Sequence, residues 1–172
     1  MSSNGFTAIQ DAVREGYITT DDGIFRIKIR DEGDSLTLTV SDNGIGMSES
    51  ILTDVFSEFG VTTSGKHTDS IGHFGQGVAS YFGLVGFEEG LISFESFSRE
   101  TNTAYKGLFG IDPFYHKQVS PDELEYLEHK GTAYKIRLQQ EITLSKVEEW
   151  IDKITMYNDF TVIVDWPSSK DV

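Results

Sequence analysis

Phe25-Arg26-Ile27-Lys28-Ile29-Arg30, the turn Asp31-Glu32-Gly33-Asp34, and Leu36-Thr37-Leu38-Thr39-Val40-Ser41-Asp42 form the stretch on which the fold turns. Apolar side chains alternate with charged or polar ones on both sides of the turn. That period of two marks strands with one buried face, and the Asp- and Gly-rich connection makes them an antiparallel hairpin. The second strand runs directly into Asn43-Gly44-Ile45-Gly46-Met47. A carboxylate at a strand end, followed by two glycines, sits where backbone can approach a flat ligand closely. An ionised carboxylate only accepts hydrogen bonds, so Asp42 suits a donor such as the exocyclic amine of adenine. Asp-Asn-Gly is also an ordinary turn sequence, and taken alone that is the simpler reading.

Before the hairpin, Phe6, Ile9, Ala12 and Val13 recur at helical spacing within 4–15, and Gly16 supplies a C-terminal stop. After it, Ser48 can cap a helix reaching about Glu58, with Ile51, Leu52 and Val55 as its buried stripe. Residues 60–70 are polar, small and aperiodic, as expected of a mobile loop. Strands are expected near 91–99, 104–109, 132–138 and 161–165. Ser120-Pro121-Asp122-Glu123 reads as a capping box with proline at the first helical position. Ser145 and Glu148 repeat the box ahead of Val147, Trp150, Ile151 and Ile154, an amphipathic helix. Hairpins alternating with helices predict an α+β two-layer sandwich, a mixed and mostly antiparallel sheet with helices on one face.

Gly72-His73-Phe74-Gly75-Gln76-Gly77 raises the stakes. Three glycines ahead of a helical segment (Val78, Tyr81, Phe82, Val85) leave backbone N–H groups and a helix dipole aimed at one spot, which suits phosphate. Glycines used for close helix–sheet packing would look the same. Gly60-Val61-Thr62-Thr63-Ser64-Gly65-Lys66-His67 imitates a P-loop, but His67 stands where Ser or Thr should meet magnesium, and the segment follows a helix rather than a strand. It is rejected as a P-loop, although Lys66 on a lid can still reach a phosphate. His116 and His129 read as surface or loop residues, His73 as a lining residue, and Trp150 and the phenylalanines as core.

Composition narrows the classes. The 172 residues suit one domain, 1–172, with an adequate core. Without cysteine, disulfides and thiolate metal sites are excluded. No apolar run has the length of a membrane span, and a net charge of −14 argues against nucleic acid and anionic lipid as partners. A cytoplasmic location is expected. A nucleotide is itself an anion, so its site must rest on local N–H groups and a metal ion.

The order of Asp42-Asn43-Gly44-Ile45-Gly46-Met47, Ile71-Gly72-His73-Phe74-Gly75-Gln76-Gly77 and Gly131-Thr132 resembles the GHKL ATPases, the group of gyrase, heat-shock protein 90, histidine kinase and MutL. It looks most like heat-shock protein 90, with Ser2 to Ala8 similar to that family's first motif. The resemblance implies the Bergerat ATP-binding fold, ATP or ADP with Mg²⁺ as ligand, and nucleotide acting as a conformational clamp. It implies that Asn4 holds Mg²⁺ and that Asp42 accepts from adenine with Thr132 in support. Gly46 and Met47 would line the base pocket. Phe74, Gly75, Gln76, Gly77 and Val78 would wrap the phosphates under a lid at 60–70, with Lys66 in reach. Client proteins, flanking domains and a nucleotide-dependent dimer of the intact protein are the partners it suggests. Thr7 replaces the motif's aspartate. The family's catalytic glutamate stands four residues before the magnesium asparagine, a position ahead of Met1. The expectation is therefore a truncated piece that holds no catalytic residue of its own, binds ATP and turns it over little. A non-chaperone ATP-gated switch module and a histidine-kinase catalytic domain are the alternatives.

Overall fold

The computed structural model describes residues 2–59, 92–109, 115–155 and 159–167. Helix α1 (Ser2–Arg14) leads into the hairpin of β1 (Ile24–Asp31) and β2 (Leu36–Asp42). Helix α2 (Glu49–Phe59) follows, and then β3 (Ile92–Ser98), β4 (Thr103–Phe109), β5 (Tyr115–Val119) and β6 (Gly131–Arg137). Helix α3 (Leu144–Thr155) and β7 (Thr161–Asp165) complete the described elements. The strands form one seven-stranded sheet in the order β5-β4-β3-β6-β2-β1-β7. All pairs are antiparallel except β1 with β7, so the sheet is mixed and mostly antiparallel as expected.

The hairpin pairs Ile27 with Val40 and Ile29 with Leu38, and each of these four side chains is buried. The register continues through β6 and β3, giving cross-strand rows such as Ile29–Leu38–Ile136–Ile92 on the inner face. Ile9 of α1, Leu52 of α2, and Val147 and Ile151 of α3 join that same buried cluster. Helices thus cover the inner face, and the period-two and period-3.6 patterns meet in one core. Phe6 lies 4.7 Å from the Phe25 ring, which docks α1 over the start of β1. Gly16 ends α1 with φ of 75°: its N–H reaches the Val13 carbonyl, and the Tyr17 N–H reaches that of Ala12. This is a Schellman stop, which glycine favours because the left-handed conformation costs it least.

The outer face carries a smaller cluster of Phe97, Ala104, Leu127 and Ala133 under the 120–130 segment. Glu95 holds that segment down. It is fully buried, its Oε1 accepts from the Glu125 N–H at 2.8 Å, and its Oε2 accepts from Tyr126 at 3.0 Å and Leu127 at 2.9 Å. Lys106 completes the arrangement, its Nζ 3.3 Å from Glu95.

Several sequence expectations change here. The Ser120 box yields one 3-10 turn, Pro121–Glu123, rather than a longer helix. The N–H groups that would extend it are taken by Glu95. Helix α3 starts at Leu144, with Thr143 in place of Ser145 at its cap; the Lys146 and Val147 N–H groups both reach the Thr143 carbonyl. Ser48 does stand before α2, its carbonyl accepting from Leu52, but Ile51 is 39 % exposed. Consecutive helical positions diverge by about 100°, and with Leu52 at the core Ile51 turns outward. The edge strand β5 has no counterpart in the sequence reading. His116 on it is half-buried against Tyr105, while His129 is exposed. The Val55 and Ile154 side chains and the whole of 60–91 lie outside the described residues. Among described residues no helix is long and apolar enough to cross a membrane.

Truncating Glu95 to alanine leaves the Glu125, Tyr126 and Leu127 N–H groups without their acceptor and takes one partner from Lys106, at a cost of about 3 kcal/mol or more. Urea unfolding should show that loss, and hydrogen exchange should show the 125–127 amides losing protection. Unchanged protection at those amides would contradict the anchoring role.

Candidate nucleotide-binding site

The site begins where β2 ends. Asp42 closes the inner-face row Phe25–Asp42–Thr132–Ser96, so its carboxylate enters the space beneath α1 instead of solvent. The residue is 7 % exposed. Its Oδ1 accepts from the Gly44 N–H at 2.9 Å, and the Thr132 backbone N–H also bonds the carboxylate.

Burial raises the Asp42 pKa from 3.8 to about 7; the Gly44 and Thr132 N–H bonds and the charge of Arg99 act the other way. Desolvation wins because removing an ionised carboxylate from water costs more than two neutral donors and one partly screened cation return.

The turn beyond Asp42 is clasped on two sides. On one side lies α1, where the Ile45 N–H donates to the Ala8 carbonyl at 3.0 Å, and a Cβ on Gly44 would stand 2.4 Å from the Ala8 backbone. A Cβ on Gly5 would strike the Phe25 ring at 2.6 Å. On the other side lies the end of β3. A Cβ on Gly46 (φ 72°) would lie 2.1 Å from the Phe97 carbonyl oxygen. Both glycines of the motif are therefore required by close approach of backbone, and Gly46 by conformation as well. Asn43 faces away from the turn's interior. Its Oδ1 accepts from Ile24 N–H at 2.8 Å and its Nδ2 donates to the Asp22 carbonyl at 2.7 Å, tying the turn to the entry of β1.

The sequence-derived residues divide accordingly. Asp42, Gly46, Met47 and Thr132 come together at the junction of β2, β3 and β6. Met47 is buried, its N–H donates to Ser96 Oγ at 2.8 Å, and the Tyr134 hydroxyl lies 4.0 Å from its sulfur. Thr132 is buried opposite Asp42, with its Oγ1 3.0 Å from Ser96 Oγ. Asn4 sits in the first turn of α1, one residue before Gly5, but its side chain is outside the described residues. Lys66, Phe74, Gly75, Gln76, Gly77 and Val78 also lie outside them. Among described residues no group of three or more His, Asp or Glu is placed to hold a metal ion.

Sequence reasoning missed two contributors on β3 and the turn after it. Ser96 is fully buried and donates to the Gly131 carbonyl at 3.1 Å besides serving Met47. Arg99 donates from Nε to the Gly44 carbonyl at 2.9 Å and from Nη2 to that of Asn43 at 3.0 Å. The available signal was Glu95, Ser96 and Ser98, three polar residues within the strand expected near 91–99.

A mixed seven-stranded sheet covered by helices, with a buried carboxylate and a glycine-tight turn at one end, defines a GHKL-type nucleotide-binding sandwich. Residues 6–142 match the family model described as histidine kinase-, DNA gyrase B-, and HSP90-like ATPase, and the chain belongs to that family. No curated protein matches the chain.

The raised Asp42 pKa has a consequence for stability. Below pH 3.8 the carboxyl is neutral whether folded or unfolded, and burial exacts no ionic cost. As pH rises from 3.8 to about 7, the folded state holds a proton that the unfolded chain has released, and stability falls until both are ionised above that. Asp42→Asn escapes this, so at pH 8 the ligand-free variant should be more stable than wild type, by up to about 4 kcal/mol. Thermal unfolding should show the difference shrinking as pH falls toward 4; a constant difference would contradict the ionisation assigned to Asp42.

Proposed function

We propose that this chain is the ATP–Mg²⁺-binding domain, a single unit over 1–172, of a protein of the heat-shock-protein-90 type, in which nucleotide acts as a conformational clamp. The observation that carries the reading is the buried Asp42 carboxylate, held by N–H donors at the mouth of a turn whose backbone is packed too tightly for side chains. Such a group is costly to maintain without a ligand, and a donor such as the adenine amine offsets that cost. Membership of the GHKL ATPase family supports adenine nucleotide as that ligand.

In this reading Asp42 accepts from the exocyclic amine, Thr132 keeps the carboxylate oriented, and Gly46 and Met47 face the base. The phosphates fall to Phe74, Gly75, Gln76, Gly77 and Val78, with Lys66 on the 60–70 lid. Asn4 takes the role of magnesium ligand in this reading, supported by its neighbour Gly5 lying against Asp42 at the start of α1. Magnesium is commonly held by one or two protein groups together with substrate phosphates, so a dedicated acidic cage is not required. When bound, the ion supplies charge neutralisation of the phosphates. The protein's own residues bind and orient the base. The clamp function would join this domain to flanking domains and a second copy in the intact protein.

Calorimetry with a non-hydrolysable ATP analogue tests the reading. Wild type should bind with magnesium dependence, Asp42→Asn should lose at least ~100-fold in affinity, and Asn4→Ala should bind with the magnesium dependence largely gone. Absence of binding by wild type would end the proposal. Transfer of labelled γ-phosphate to a histidine would point to the kinase class instead.

A further inference from the structure

The end of β3 meets the 43–47 turn group by group. The Ser96 hydroxyl accepts from the Met47 N–H, the Phe97 carbonyl faces Gly46, and the Arg99 N–H donates to the Ile45 carbonyl at 2.9 Å. The Arg99 side chain extends the pattern, with its two bonds to the Gly44 and Asn43 carbonyls. One residue therefore holds three successive carbonyls of the turn.

The position of Arg99 is itself fixed. It follows β3 at the mouth of a tight hairpin, where Asn102 takes a left-handed φ of 55° and the Thr101 N–H reaches Ser98 Oγ at 3.3 Å. The guanidinium is half-buried, which makes its bonds to carbonyls stronger than they would be in water. It also exerts its charge on Asp42. Among the described residues, Gly5 from α1, Phe25 from β1 and Thr132 from β6 stand next to Asp42 and carry no charge, while Arg26, Glu128 and His129 line a surface pocket with it but are not among the groups that shift its carboxyl. Tyr17, just past α1, acts on Arg99 rather than on Asp42.

We infer that Arg99 is a positioning residue for adenine recognition, acting through the Asn43, Gly44 and Ile45 carbonyls that shape the turn and through its charge on Asp42. The inference rests on the proposed adenine role of Asp42 and extends it to a residue outside the two glycine motifs. Arg99 touches no ligand in this account. Its planar fork reaches two carbonyls at once, a geometry that a lysine ammonium does not reproduce.

The test measures ADP–Mg²⁺ affinity of wild type, Arg99→Met and Arg99→Lys from about pH 5.5 to 8.5, expressed as variant-to-wild-type ratios so that the nucleotide's own titration cancels. Arg99→Met should bind roughly 10-fold or more weakly near pH 7, and its affinity should fall away at a higher pH than in wild type. Arg99→Lys should restore the wild-type pH profile while staying weaker at every pH, because charge returns without the fork. If wild type binds and Arg99→Met follows the same pH profile with equal affinity, the inference is overturned. It is equally overturned if Met and Lys variants lose the same factor at every pH, the mark of a purely structural role. Failure of wild type to bind ADP would instead refute the nucleotide reading on which the inference stands.

Discussion

Everything at the functional end of this molecule depends on a carboxylate kept out of water. Asp42 is the last residue of β2, and the alternation that buries Leu36, Leu38 and Val40 obliges it to point inward too. The strand has no freedom to turn this one side chain outward without reversing all the others. Two N–H donors and one arginine make the position tolerable, yet the pKa near 7 shows that they do not remove its cost. Gly44 and Gly46 are small because the turn after Asp42 packs against the Ala8 and Phe97 backbones, Gly5 because the Phe25 ring lies against it, and β3 ends in residues that fasten the turn.

Stability and recognition pull against each other at this point. A buried acid poised near neutrality lowers the stability of the empty domain, and a ligand that donates to it recovers the loss. Binding is then coupled to the order of α1, β3 and β6, since each contributes a group to the turn: the Ala8 carbonyl, the Ser96 hydroxyl and the Thr132 N–H.

Much of this was legible in the sequence because it is local. The Phe25–Asp42 hairpin, the glycine-bearing turn and the 161–165 strand announce themselves through alternation and turn chemistry. What was hidden is non-local. Nothing near 161–165 says that β7 lies parallel to β1, and nothing near Ser120 says that Glu95 will claim the N–H groups of Glu125, Tyr126 and Leu127, some thirty residues further along. Arg99 shows the same limit. Its partners are more than fifty positions away, and its role appears only when β3 is laid beside the turn. The glycine spacing of 72–77 in the sequence pointed to phosphate contact, and those residues lie outside the described ones.

The central claim is that Asp42 reads the amine of adenine. ITP differs from ATP at that group, presenting a carbonyl where adenine presents a donor. Competitive calorimetry of ATP against ITP on the wild-type protein is the most direct measurement. At pH 9, where the Asp42 carboxyl is ionised and only accepts, ITP should bind at least ~10-fold more weakly, since its carbonyl would face a buried acceptor, and Asp42→Asn should narrow the gap. Equal affinity of wild type for the two nucleotides would contradict it.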